Sequence, residues 1–221
     1  MTTFITARFS PRFPAGLFRR LLATCLICVT QVFATPAFAI GAFKPSPGEL
    51  AMLPPYCGPR AETWGNDASR PEVAHWMRYF GNDYIHMHHY CVALLAINQA
   101  QISVHEPERR AAYNRAINNI RYMEERVGPD FILWPDLLHN RARAEQGLGN
   151  TGAAITSLQQ AIARKADYAP PYAELADIHL RLGQADEARK VLESGLAQQP
   201  NSRLLQRRMN CLDDRSAPGC R

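Results

Sequence analysis

The chain has 221 residues, 47% hydrophobic and 20% charged, with 25 Lys and Arg against 20 Asp and Glu. So much apolar residue with so little net charge excludes intrinsic disorder, and the length suffices for one or two domains with a proper core. A formal net charge of +5 would suggest a nucleic acid or an anionic membrane as partner, if that charge belonged to the folded part.

It belongs largely to the N-terminus. Arg8, Arg12, Arg19 and Arg20 precede the uncharged run Leu21 to Ala34, and the triplet Ala37, Phe38, Ala39 follows. A basic start, an apolar stretch and an Ala-x-Ala site form the pattern of a cleavable export signal over residues 1–39, with cleavage after Ala39 and a periplasmic or secreted product. An uncleaved anchor is the rival reading, but Gln31 and Pro36 interrupt the apolar stretch. Cys25, after Leu22, Ala23 and Thr24, resembles a lipidation box only loosely. Removal of the signal takes four Arg and no acid, leaving 21 basic against 20 acidic residues. Electrostatics then gives no argument for nucleic acid.

Residues 40–69, rich in Pro and Gly, read as an extended arm ahead of a helical domain over 70–221. Pro71 to Phe80 is predicted helical, with Ser69 as N-cap and Gly81 as stop. Asp83 is placed as the cap of a helix running to about Ser103, and Pro107 opens another through Arg126, closed by Gly128 and Pro129. Together they make a hairpin over 83–127. Within it, the run Tyr84 to Cys91 holds His86, Met87, His88 and His89. Imidazole, thioether and thiolate suit copper or zinc, so a periplasmic metal-binding protein centred on these histidines is the alternative function. On one helix they do not share a face: His86 aligns with His89 and His88 with Cys91, and a disulfide at Cys91 removes its thiolate.

Sliding the chain against itself by 34 residues superposes Ala142 on Ala176, Leu148 on Leu182, Gly149 on Gly183, Ala154 on Ala188, Leu158 on Leu192 and Ala163 on Ala197. In the stronger copy, Pro170 and Pro171 open a helix that Gly183 ends, and Ala188, Leu192 and Leu196 share one face of a second helix that Pro200 stops. The copies span 135–168 and 169–202. Downstream, residues 202–212 set Leu204, Leu205 and Met209 among Arg203, Arg207 and Arg208, which suits a polar-backed capping helix.

Four Cys follow the signal: Cys57, Cys91, Cys211 and Cys220. An even count in an exported chain reads as two disulfides with three pairings open. Joining nearest neighbours gives Cys57 to Cys91 and Cys211 to Cys220, worth roughly 4 and roughly 3 kcal/mol at most in the chain-entropy picture. The first staples the arm to the first hairpin and the second pins the tail to the cap.

Tyr172, Leu175, Ala176, Gly183, Ala188, Leu192 and Pro200 give the stronger copy its resemblance to the tetratricopeptide repeat, with Gly195 where Ala is usual and His179 where Tyr is usual. The weaker copy keeps Ala142, Gly149, Ala154, Leu158 and Ala161, but has Leu138 at the aromatic position, Arg141 at the Leu position, Glu145 at the Tyr position and Ala166 at the Pro position. The resemblance implies an all-α fold, a short right-handed solenoid of helical hairpins. It also implies a groove, lined by the first helix of each pair, that receives a segment of another protein. Carried over residue by residue, that groove presents Asp136, His139, Asn140, Arg143, Ala173, Asp177, Leu180 and Arg181. The Lys and Asn with which some relatives clamp a C-terminal carboxylate are replaced here by His139, Arg143 and Glu174, so that mode is not expected.

No Cys-x-x-Cys follows the signal, and the chain has no Gly-x-Ser-x-Gly, no phosphate-binding Gly loop and no His-Glu-x-x-His. The expectation is therefore a non-catalytic protein without cofactor. It would be a periplasmic scaffold or assembly factor bound to another protein, with association with an inner-membrane or envelope complex as part of that expectation. An accessory subunit of a polysaccharide or secretion enzyme is the third reading.

Overall fold

The computed structural model describes residues 43–62 and 67–214. The proposed signal and Cys220, with its expected pairing to Cys211, lie outside the described residues. Prolines open most of the helices, because a proline at the first or second helical position sacrifices a donor that has no intrahelical acceptor anyway. They are α1 (Pro47–Ala51), α2 (Gly58–Glu62), α3 (Pro71–Phe80), α4 (Met87–Ile102), α5 (Glu106–Glu124), α6 (Trp134–Gly147), α7 (Thr151–Arg164), α8 (Ala169–Arg181), α9 (Ala185–Gln198) and α10 (Arg203–Asp213). No strand occurs among the described residues, and the all-α class expected from the sequence holds.

Three antiparallel hairpins, α4/α5, α6/α7 and α8/α9, stack in chain order, and α10 covers the last of them. The turns of the second and third hairpins are built alike. Gly149 at φ 83° and Gly183 at φ 74° take the left-handed conformation that side chains avoid. Asn150 N–H then reaches back to the Glu145 carbonyl at 2.9 Å and Gln184 N–H to the His179 carbonyl at 2.8 Å. These are paired Schellman caps, and they turn the 34-residue sequence period into a spatial one.

Packing follows the repeat. Ala142, Ala154 and Leu158 meet Leu175 and Ile178 between the second and third hairpins. Ala176, Ala188 and Leu192 pack with Tyr172 and with Leu205 of α10. Leu158, Leu192 and Leu205 are fully buried, each contributing about 1.5–3 kcal/mol of hydrophobic stabilisation. Two departures of the weaker copy, Arg141 and Glu145, compensate one another. Arg141 Nε donates to Glu145 Oε1 at 2.9 Å, the buried Glu145 accepts from Ser157 Oγ at 2.7 Å, and Arg141 Nη1 reaches Glu124 of α5 at 2.9 Å. Apolar packing is replaced there by a buried charge whose lone pairs are used, which is the condition for tolerating it.

Three local expectations are corrected. The segment read as an extended arm coils into α1, a single 3-10 turn at Pro55–Cys57 and α2, because Phe43, Leu53, Tyr56 and Cys57 are buried in the core. Tyr56 sets its ring edge-on to Trp76 and Phe80, a favoured aromatic geometry. Asp83 caps no α-helix: Gly81–His86 is a 3-10 stretch, α4 begins at Met87, and Asp83 Oδ1 accepts the Gly128 N–H at 3.3 Å. Ser69 does not cap α3 either, since its hydroxyl turns back to Asp67 at 2.6 Å, while Arg70 holds the cap position and its side chain reaches Glu72 rather than capping the helix.

Cys57 and Cys91 are joined in the structure, with their Cα atoms 5.6 Å apart, so α4 is tied to the turn before α2. Cys211 lies in α10 and is disulfide-bonded. Among the described residues no helix is long and apolar enough to cross a membrane.

Candidate functional site: a groove between α6, α8 and α10

α6 and α8 are the first helices of successive hairpins, and the face they leave uncovered meets α10 in a shallow groove of about 340 Å³. His139, Arg143 and Gln146 reach it from α6, Pro170, Ala173, Glu174, Asp177 and Arg181 from α8, and Leu204 and Arg208 from α10. The spacing of three or four residues along each helix is what brings these side chains to one face.

Both acids of the groove are matched within it. His139 Nε2 lies 2.7 Å from Glu174 Oε2. Arg208 donates from Nε to Asp177 at 3.0 Å and from Nη2 at 2.8 Å, a two-pronged contact that ties α10 to α8. Arg143 and Arg181 are engaged differently. Arg143 Nη1 donates to the Asn140 side-chain oxygen at 2.8 Å and Arg181 Nη2 to the Gln146 side-chain oxygen at 2.7 Å. Neither makes an ion pair among the described residues.

Of the residues carried over from the family pattern, the structure thus brings His139, Arg143, Ala173, Asp177 and Arg181 to one groove. Asp136, Asn140 and Leu180 are not in its lining. Asp136 accepts from Tyr168 Oη at 2.9 Å and from Tyr90 Oη in a short contact, so it fastens α4 to α6 and to the loop before α8. Burial and the Asp136 charge both push the Tyr90 hydroxyl well above the usual tyrosine range, which keeps it a donor. Asn140 is 3% exposed and donates to Tyr90 Oη and to the Asp136 carbonyl, each at 2.9 Å. Leu180 packs half-buried against the core of the third hairpin. Arg208 was not expected in the groove, although its place four residues after Leu204 on the inner stripe of α10 was a usable signal.

The histidine run is dispersed. His86 Nδ1 lies 3.4 Å from Tyr122 Oη, and His89 Nδ1 lies 2.8 Å from Asn119 Oδ1 with its ring stacked on Tyr122. His88 Nδ1 lies 2.9 Å from the buried Arg60 guanidinium. Burial above all, then His89 and Arg60, push the His88 imidazole down to about 4. Among the described residues no three His, Cys, Asp or Glu side chains are grouped to hold a metal. A second hollow, of about 540 Å³, opens on another face among Glu124, Trp134, Leu138, Arg141, Gln160, Ala163 and Arg164. The Arg164 guanidinium covers the Trp134 ring there at 4.7 Å.

Residues 146–207 match the family model of the tetratricopeptide repeat. No curated protein matches the chain. The matched stretch runs from the end of α6 through α7, α8 and α9 into α10, the part where the repeated sequence and the paired Schellman caps coincide. Over residues 146–207, therefore, the chain is similar to the tetratricopeptide repeat family.

Proposed function

We propose that the protein is an exported, non-catalytic scaffold or assembly factor that holds a segment of a partner protein in the groove between α6, α8 and α10, within a cell-envelope machine. Tetratricopeptide domains mediate protein–protein interaction and are typically non-catalytic. The observation that carries the reading is the open groove on the first-helix face, where Arg143 and Arg181 stand without a carboxylate partner. Export is supported by the basic and apolar N-terminal pattern and by the Cys57–Cys91 bond, since such bonds persist in oxidising compartments.

A photocrosslinking residue placed at Leu204 in the groove lining, compared with one at the exposed Glu193 on α9, tests this in the native compartment. One defined envelope protein should crosslink from position 204 and not from 193. Equal capture from both positions, or none from 204, would remove the groove from the account.

A further inference from the structure

Resting on that reading, we infer that the groove takes an acidic segment of its partner, with side-chain carboxylates gripped by Arg143 and Arg181. The inference starts from a count of donors and acceptors. Glu174 and Asp177, the acids of the groove, are already occupied by His139 and Arg208. The guanidinium groups of Arg143 and Arg181 give bonds only to the amide oxygens of Asn140 and Gln146. Each guanidinium carries five N–H donors, so most of their capacity is left untaken by acceptors among the described residues.

Two further donors lie in the same lining. Gln146 Nε2 and Arg208 Nη1 are buried and meet no acceptor among the described residues. The Gln146 amide is oriented by Arg181, whose donor claims its oxygen and leaves its nitrogen without a partner. A buried donor left unmet carries a desolvation cost, which an incoming acceptor recovers. The groove therefore lacks acceptors, and a carboxylate is acceptor-only and forks onto guanidinium. An extended polypeptide adds backbone carbonyls to the same end, while Pro170, Ala173 and Leu204 give its aliphatic carbons an apolar floor. A basic segment would set like charge against both arginines, and a neutral one would bring carbonyl acceptors without the charge that forks onto guanidinium.

The probe is a short fluorescein-labelled peptide alternating Glu and Ala, with a Gln and Ala counterpart, titrated by anisotropy into the full exported chain. The Glu peptide should bind at least about tenfold more tightly at about 0.15 M salt. Arg143→Ala with Arg181→Ala should weaken it by about tenfold or more. Arg203→Ala with Arg207→Ala removes the same formal charge from the exposed face of α10, outside the lining, and should change it by less than about twofold. Arg181→Glu alone, at an exposed position, guards against a folding failure in the double variant. Equal binding of the two peptides, or equal loss in both double variants, overturns the inference. If the crosslink from position 204 survives Arg143→Ala with Arg181→Ala, the acidic inference falls and the scaffold stands; if no crosslink forms there in the otherwise unaltered chain, both fall. A second copy of the chain as occupant would appear as a dimer dissolved by Arg143→Ala with Arg181→Ala, and would overturn the assignment to a separate partner.

Discussion

The region from α1 to α5 and the region from α6 to α10 pack their helices with different materials. In the second, small residues do the work: Ala142, Ala154, Ala176 and Ala188 are fully buried and let paired helices approach, with Leu158 and Leu192 filling the seam. In the first, large rings fill the space, with Tyr84 and Tyr90 fully buried, Phe80 stacked on Tyr84 and His89 stacked on Tyr122. The first region adds a buried arginine and a disulfide. Small-residue seams can be copied from hairpin to hairpin, whereas a core of interlocking rings fits one place only. The contrast separates what builds the groove from what holds its upstream end.

The largest effect should come from the disulfide. Cys57→Ser with Cys91→Ser frees a bond spanning 34 residues, and in oxidised protein denaturant unfolding should lose roughly 4 kcal/mol. Exchange of backbone amides should accelerate in α1 to α4 first. Uniform acceleration through α8 and α9 would mean that the two regions unfold as one and that the contrast has no energetic meaning. Next, Leu192→Ala should cost about 3 kcal/mol by the same measurement, because its site is sealed by Ala176, Ala188 and Leu205 and cannot collapse. A loss below about 1 kcal/mol would show the seam to be loosely packed.

A smaller effect tests the fit of one residue. Gly195 stands where the family usually has Ala, and a Cβ there would lie 2.8 Å from Leu205 Cδ1 and 2.9 Å from the Tyr172 ring. Gly195→Ala gains about 1 kcal/mol of helix propensity but overpacks at a cost of about 1–3 kcal/mol. Net destabilisation of about 1 kcal/mol is expected, and a clear rise in Tm would show that α10 moves aside freely.

The smallest is a slope. His88 is held down at about 4 against an ordinary 6.5, and His86 and His89 are shifted in the same direction by burial. Between those values the unfolded chain binds more protons than the folded one. The stabilisation is fully present above about pH 6.5 and is lost as pH falls towards about 4. Denaturation midpoints should drop across that window, and His88→Gln should flatten the drop. An unchanged slope in the variant would place the acid sensitivity elsewhere.

The same contrast explains what the sequence revealed. The hairpins α6/α7 and α8/α9 were legible because their signals are local: Gly149 and Gly183 terminate helices within one turn, and a 34-residue period announces the pair. The coiling of residues 43–62 was not, because it depends on Tyr56 finding Trp76 and Phe80 in a distant helix. Asp83 looked like a cap by composition, yet its oxygen is claimed by Gly128, 45 residues on. The groove was legible where a residue's helical position alone decides, as at Arg143, Ala173 and Arg181. It was not at Asp136 and Asn140, which are drawn away by Tyr90 from another hairpin. Arg208 entered through α10, a helix outside the repeat pattern.

The most direct test of the central claim is hydrogen exchange of the full chain, alone and with the partner segment captured from position 204. Slowed exchange in α6, α8 and α10, with α7 and α9 unchanged, is the expected result. Protection confined to α7 and α9 would contradict it and move the binding face to the other side of the repeats.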